Sequence, residues 1–303
     1  MNRSDWSGVF PAITTPFDER LAVDHDALKE HVAWLARTGS RGIVALGSLG
    51  EGATLSYDEK VAVFKSCRAG LGGKIPLIAS IASLSTAEAV ALAKDAERAG
   101  CDGLMVLPPY VYRPDEREAD AHFRAVLGAT TLSCMLYNNP IAYGTDVTPA
   151  ELASLVRLKN LHAVKDSSGD IRRLTAIGEE LGDRLAVFVG LDDCIVEGVA
   201  AGAVGWVAGL VNALPEESVR LFELASAGQW EDARALYHWF LPLLRLDTGI
   251  KFVQLIKLVQ QEMGHGSERV RPPRLALAGA ERDEALALIR AQLATRPAAM
   301  AAR

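Results

Sequence analysis

Cysteine is scarce. Cys67, Cys101, Cys134 and Cys194 are the only four among 303 residues, and no two form a C-x-x-C pair. Cysteines this few and this far apart in a long chain do not read as a disulfide framework, so small buried thiols are expected. Long apolar runs are missing too. No stretch approaches 18 uninterrupted apolar residues, and no membrane span is expected. Met1–Trp6 is polar and lacks the apolar segment of a secretory leader, which points to a cytoplasmic protein. Charge of one sign is also lacking: 38 acidic and 32 basic residues leave a formal net charge of −6, with no Lys/Arg run. That balance argues against a nucleic-acid binder. The histidines, at 25, 31, 122, 162, 238 and 265, include no i,i+4 pair. A metal site is therefore not expected, and each reads as a solvated or core histidine.

What is present is ordinary globular composition, with half the residues hydrophobic and 23% charged. Short apolar runs recur at Val9–Phe17, Gly42–Gly47, Pro76–Ile81, Gly103–Pro109, Leu132–Asn139, Leu161–Ser167, Leu185–Gly190 and Val204–Gly209. They are continuous rather than alternating, as strands of a parallel sheet covered on both faces should be. Helical patterns lie between them, at 24–38, 58–69, 86–99, 115–127, 149–156, 170–181, 193–201 and 215–225. Ser85 with Glu88 forms a capping-box pattern at the start of one, and Gly100 suits the residue just past its end. Eight strand–helix units by residue 226 predict a (β/α)8 TIM barrel over 1–226, with an all-helical extension over 227–303. The extension should hold helices at 230–244, 250–263 and 281–294, with a frayed tail after Thr295. A doubly wound open sheet is the competing fold, but no Gly-rich nucleotide turn follows Phe17.

In such a barrel the functional residues cluster at the C-terminal ends of the strands. Of the nine lysines only Lys165 falls inside a strand run. An ammonium is costly to desolvate there, which favours the neutral amine, a nucleophile suited to imine formation with a carbonyl. The competing reading is a lysine ion-paired with Asp166. Tyr137 lies at the same level of the preceding strand, so its phenol is either a proton shuttle beside that amine or a core tyrosine with a satisfied hydroxyl. The Gly47–Gly52 loop holds three glycines, Ser48 and Glu51. It is either an amide cradle for a substrate carboxylate or a plain tight turn, and Glu51 could equally be a structural acceptor. No Gly-Lys-Ser/Thr follows, so it is not a Walker loop.

Taken together, Gly47-Ser48-Leu49-Gly50-Glu51, Tyr137-Asn138-Asn139-Pro140 and the Ala163–Gly169 segment resemble the dihydrodipicolinate synthase / N-acetylneuraminate lyase family. The opening Gly8–Phe17 run is similar to that family's first strand. The resemblance implies a class I Schiff-base lyase, usually a homotetramer, acting on pyruvate or another 2-oxo acid. It also implies that Lys165 forms the imine, that Tyr137 transfers protons, and that Ser48 with the loop amides, including those at Gly47 and Leu49, holds the carboxylate. Gly190 and Val207 would line the pocket. No cofactor is implied, because the protonated imine is itself the electron sink.

Three departures stand out. Ala142 replaces the arginine that in the lysine-pathway synthase helps bind the second substrate. Leu49 replaces the second threonine of the strand-two motif. Val111, flanked by Tyr110 and Tyr112, replaces an intersubunit tyrosine. The expectation is a broken hydroxyl relay and a doubtful biosynthetic role. Within the family the sequence looks most like a catabolic deaminase of Δ1-pyrroline-4-hydroxy-2-carboxylate, yielding 2-oxoglutarate semialdehyde and ammonia. A 2-keto-3-deoxy sugar-acid aldolase or dehydratase, the synthase itself, and a catalytically silent 2-oxo-acid-binding barrel are the alternatives.

Overall fold

The computed structural model describes residues 1–297. The tail expected after Thr295 lies, from residue 298 on, outside the described residues. Eight strands run in parallel: β1 (Gly8–Pro11), β2 (Ile43–Ala45), β3 (Leu77–Ile81), β4 (Gly103–Val106), β5 (Ser133–Asn138), β6 (Leu161–Asp166), β7 (Ala186–Val189) and β8 (Gly205–Ala208). The ladder follows the order β1-β8-β7-β6-β5-β4-β3-β2. Beside β2 the ring closes through an Ala12–Val44 bridge, an Ile13 N–H donating to Val44 O at 2.9 Å, and an Arg41 N–H donating to Val9 O at 2.9 Å. The fold is the expected (β/α)8 TIM barrel with C-terminal helices.

The helices are α1 (His25–Arg37), α2 (Tyr57–Leu71), α3 (Thr86–Arg98), α4 (Glu116–Leu127), α5 (Pro140–Tyr143), α6 (Pro149–Leu155), α7 (Arg172–Leu181), α8 (Ile195–Ala200), α9 (Pro215–Ser226), α10 (Trp230–Leu244), α11 (Phe252–Glu262) and α12 (Gly279–Ala294). Side-chain caps set several starts: Asp24, Ser56, Asp115 and Thr148 each accept the N–H three residues on. Ser85 does the same for α3, but Glu88 turns to Lys60 (3.7 Å) instead of closing the expected box. Gly100 takes the left-handed conformation (φ +86) that ends α3, as expected. Helices α7, α8 and α11 each start two residues later than their patterns suggest. Residues 169–171 turn before α7, and Asp192–Cys194 forms a tight 3-10 turn before α8.

Alternation sorts the strand residues into two cores. Odd-numbered residues of β5, those of β6 from Ala163 on, and even-numbered ones of β7 point into the barrel, where Met135, Tyr137, Ala163, Ala186 and Phe188 join Phe10 and Trp6. Trp6 closes the N-terminal end, donating its indole N–H to Ser133 Oγ (2.7 Å) and stacking on Phe10 at 5.7 Å. Gly42 and Gly205 leave room for these rings: a Cβ there would come within 2.3 Å of Phe10 and Phe188. Large rings fill the bottom, so the polar strand ends gather at the other mouth. In the extension, α10 packs on α9, and α12 on α10 and α11. The Arg245–Asp247 turn between α10 and α11 packs against the Asp192–Cys194 turn. No helix among the described residues is long and apolar enough to cross a membrane.

Candidate active site

Strand register places the two expected reactive groups side by side. Tyr137 and Lys165 are direct partners on β5 and β6, both 5% exposed, with Lys165 Nζ 4.2 Å from the Tyr137 ring centroid. The ring face stabilises a cation there without removing the amine's lone pair when the proton leaves. The alternative partner, Asp166, is not available. Its carboxylate accepts from Asn138 Nδ2 (2.9 Å) and from the Ser168 N–H (3.0 Å) and hydroxyl (2.5 Å), with Arg173 at 3.8 Å. Among the described residues no acceptor lies within hydrogen-bond or ion-pair range of Lys165 Nζ.

Two other lysines are buried, which the strand pattern did not reveal. Lys257 is held by Glu51 Oε1 (2.6 Å) and the carbonyls of Thr15 and Arg269, and Lys60 sits 3.7 Å from Glu88. Both are structural cations. The unpaired state, more than burial, sets Lys165 apart.

The Gly47–Gly52 loop is pinned from behind. Glu51 has left-handed backbone (φ +53) and is buried, and its carboxylate takes Lys257 and the Arg271 N–H (3.0 Å). Its place is structural. Gly50 and Gly52 answer to packing: a Cβ would meet Ile13 O at 2.9 Å and Leu46 O at 2.6 Å. The loop thereby presents Gly47, Ser48 and Leu49 to the cavity.

The expected break in the hydroxyl relay is corrected by α5, a helix the sequence patterns did not single out. Asn139 caps it, accepting from the Ala142 N–H (3.0 Å), while its Nδ2 donates to the Tyr137 hydroxyl (2.9 Å). This short turn carries Tyr143 inward. The Tyr143 hydroxyl hydrogen-bonds Ser48 Oγ, and its ring meets Tyr137 edge-on at 5.8 Å. Burial, with Tyr137 beside it, pushes the Tyr143 phenol well above its ordinary pKa, so it stays protonated. The same chain thus supplies a phenol to Ser48 although Val111 has none. Tyr110 lies behind it, 5.9 Å from Tyr143 ring to ring.

All seven expected site residues, Lys165, Tyr137, Ser48, Leu49, Gly47, Gly190 and Val207, line one cavity of about 680 Å³. That size suits a small organic ligand. Gly190, at the end of β7, is glycine for a local reason: a Cβ would sit 2.7 Å from Lys165 Cε. Ala142 faces the same space without a guanidinium. Three charged residues that sequence reasoning missed also line it: Asp193, whose carboxylate accepts from the Cys194 thiol (3.7 Å), and the pair Arg274 and Asp247. Among the described residues neither side chain of that pair has a hydrogen-bond or ion-pair partner. Both come from beyond residue 226, so the expected domain division does not separate the cavity from the extension. No local pattern marks either one. The histidines lie elsewhere in the fold: His31 Nε2 pairs with Asn212 Oδ1 (2.9 Å) and His162 Nδ1 with Ser133 Oγ (2.7 Å). Among the described residues no group of three or more His, Cys, Asp or Glu is placed to hold a metal ion.

Comparison with known proteins agrees with this geometry. The model of the dihydrodipicolinate synthetase family matches residues 5–292. A 4-hydroxy-tetrahydrodipicolinate synthase from Moorella thermoacetica is 32% identical over 279 residues, covering 92% of this chain and 94% of that one. Another, from Methanothrix thermoacetophila, is 35% identical over 242 residues, 78% and 80% of the two chains. Among solved structures, a dihydrodipicolinate synthase from Bacillus anthracis superposes with a TM-score of 0.91 at 27% identity, covering 96% of this chain and 99% of that one. The chloride-inhibited dihydrodipicolinate synthase from Acinetobacter baumannii, complexed with pyruvate, gives 0.90 at 29% identity, covering 94% and 98%. With the barrel, the strand-end cluster and a match across nearly its whole length, the chain belongs to the dihydrodipicolinate synthetase family and is an enzyme of the class I, Schiff-base lyase type.

Proposed function

We propose that Lys165 is the imine-forming residue and that the enzyme is a catabolic lyase of a small hydroxylated 2-oxo acid or its cyclic imine. The best fit is Δ1-pyrroline-4-hydroxy-2-carboxylate, converted to 2-oxoglutarate semialdehyde and ammonia. The observation that carries the reading is the solitary amine: Lys165 is the buried lysine without an anion, and it faces the cavity. Its neutral form adds to C2, the former C=N breaks, and the ring opens to a lysine imine with a free amine on C5. Loss of the 4-hydroxyl as water, tautomerisation, and hydrolysis of both C–N linkages complete the sequence. One water leaves and two enter.

The chain's own groups have corresponding tasks. Ser48 and the amides of Gly47–Leu49 hold the carboxylate. Tyr137, whose oxygen accepts from Asn139, passes protons to and from the adding nitrogen. Tyr143 orients Ser48. Gly190 and Val207 shape the wall. Ala142 removes the guanidinium that a second carboxylate would need, which favours a monocarboxylate.

A second reading, synthesis of 4-hydroxy-tetrahydrodipicolinate, is favoured by the names of the relatives and by Arg274, an unpaired guanidinium in the same cavity. We further propose a soluble, cytoplasmic homotetramer, consistent with the exposed Val111, Tyr112 and Ile141 near the mouth.

Borohydride reduction with pyruvate, read by intact mass, tests the imine: the wild type should gain the adduct and Lys165→Ala should not. No adduct on the wild type would refute the lyase and favour a silent binding barrel. The hydroxylated pyrroline, 2-keto-3-deoxy sugar acids, and pyruvate with aspartate semialdehyde should then be compared. Ammonia from the pyrroline supports the deaminase. Pyruvate from a sugar acid, or a condensation product, replaces it.

A further inference from the structure

We infer that Asp247 is a second catalytic residue, the general acid that hands its proton to the substrate's departing 4-hydroxyl. This rests on the dehydrating reading of the site above.

The argument starts from where the carboxyl sits. Asp247 ends the 3-10 turn between α10 and α11, outside the barrel's own repeat, yet it lines the cavity that holds Lys165 and Tyr137. It reaches in over Gly209, just past β8. A Cβ on Gly209 would lie 2.1 Å from Asp247 Oδ1, so the carboxyl occupies the space a side chain would otherwise fill. Its neighbour Asp192 is a different kind of carboxylate. Asp192 is fully buried and accepts from the N–H groups of Gly209 (3.0 Å) and Leu210 (2.7 Å) and from the Trp206 indole (3.0 Å). It is satisfied by the fold. Among the described residues no donor reaches Asp247, whose oxygens are left to the cavity.

An unpartnered carboxyl beside a charged one keeps its proton. Burial, and then the charge of Asp192, push the Asp247 pKa well above the usual carboxylate range, with Asp193 adding to the effect and Lys165 opposing it. That is the resting state a general acid requires. Imine formation fixes a positive charge at Lys165, which favours release of the proton when it is needed.

The step balances. Tyr137 or solvent removes a C3 proton, giving the enamine. The enamine nitrogen's electron pair then restores C=N as a C3=C4 bond forms and the C4–O bond breaks. The oxygen leaves with that bonding pair and takes the Asp247 proton, departing as water. The Asp247 carboxylate recovers a proton from C5, whose deprotonation begins the tautomerisation. No oxidant or metal is consumed.

The test separates this step from imine formation. Asp247→Asn and Asp247→Glu are compared with the wild type in three assays: the borohydride–pyruvate adduct, deuterium exchange into the pyruvate methyl group, and water elimination from the 4-hydroxylated substrate across pH. Expected are wild-type adduct and exchange in Asp247→Asn with elimination at least about 100-fold slower. Asp247→Glu should recover part of the rate. In the wild type, elimination should fall as pH rises through the Asp247 ionisation. Elimination by Asp247→Asn within threefold of wild type overturns the assignment. So does joint loss of adduct and exchange, which marks a positioning role. A wild type that forms the adduct yet eliminates water from no 4-hydroxylated substrate overturns the acid role and leaves the imine standing. A wild type that forms no adduct refutes the lyase reading itself.

Discussion

Replacing Gly190 by alanine adds one methyl group, and the structure says where it goes. The new Cβ would lie 2.0 Å from Ser167 Oγ, 2.7 Å from Lys165 Cε and 2.9 Å from Asp166 O. The serine hydroxyl can rotate away, since its oxygen has no partner. The Asp166 carbonyl cannot, because it accepts the Gly190 N–H at 2.9 Å in the β6–β7 pairing. Relief must therefore come from the lysine. Carbon atoms prefer about 3.5–4.0 Å, so Cε has to retreat by about 1 Å. Overpacking of this kind costs about 1–3 kcal/mol of stability. Misplacing a reacting atom by about 1 Å slows a reaction about 100-fold. The assay is the rate of borohydride-trapped pyruvate adduct, measured beside urea unfolding. Gly190→Ala should fold, lose about 1–3 kcal/mol, and trap pyruvate about 100-fold more slowly. Trapping at the wild-type rate would refute the reasoning, because the lysine's reach would then not depend on the empty space at Gly190.

Two further outcomes are expected. Tyr143→Phe keeps the ring against Tyr137 but removes the hydroxyl from Ser48. Turnover should drop by about 100-fold while unfolding free energy changes by only about 1 kcal/mol, and unchanged turnover would show that Ser48 needs no orienting phenol. His31 bonds Asn212, and burial lowers its pKa from 6.5 to about 4. Between those values the unfolded chain binds a proton that the folded chain refuses. Stability should thus fall with pH across that window, by up to about 1.4 kcal/mol per pH unit. Urea midpoints at pH 7 and pH 5 measure this, and His31→Gln should flatten the slope; an equal slope in the variant would place the titration elsewhere.

Much of the scaffold is written in short-range pattern. Short continuous apolar runs such as Leu185–Gly190 read as strands covered on both sides, and Asp24, Ser56 and Asp115, each placed just before a helical pattern, cap the helices that follow. Strand parity likewise aligns Tyr137 with Lys165 from sequence alone, because side chains alternate with period two. The entry of Asp247 and Arg274 into the cavity has no counterpart in local pattern, because both lie beyond the eight strand–helix units.

The sequence by itself determined the barrel, the family and the lysine–tyrosine pair, since these depend on local periodicity and on motifs read within a few residues. Only the tertiary structure decided which buried lysine lacks an anion, that Tyr143 bonds Ser48, that Glu51 serves Lys257, and that Asp247 and Arg274 enter the cavity. Those facts join residues far apart in the chain, 206 positions for Glu51 and Lys257. Partners so distant are chosen by packing in three dimensions, where burial makes an unpaired charge costly, and a linear pattern does not record that choice.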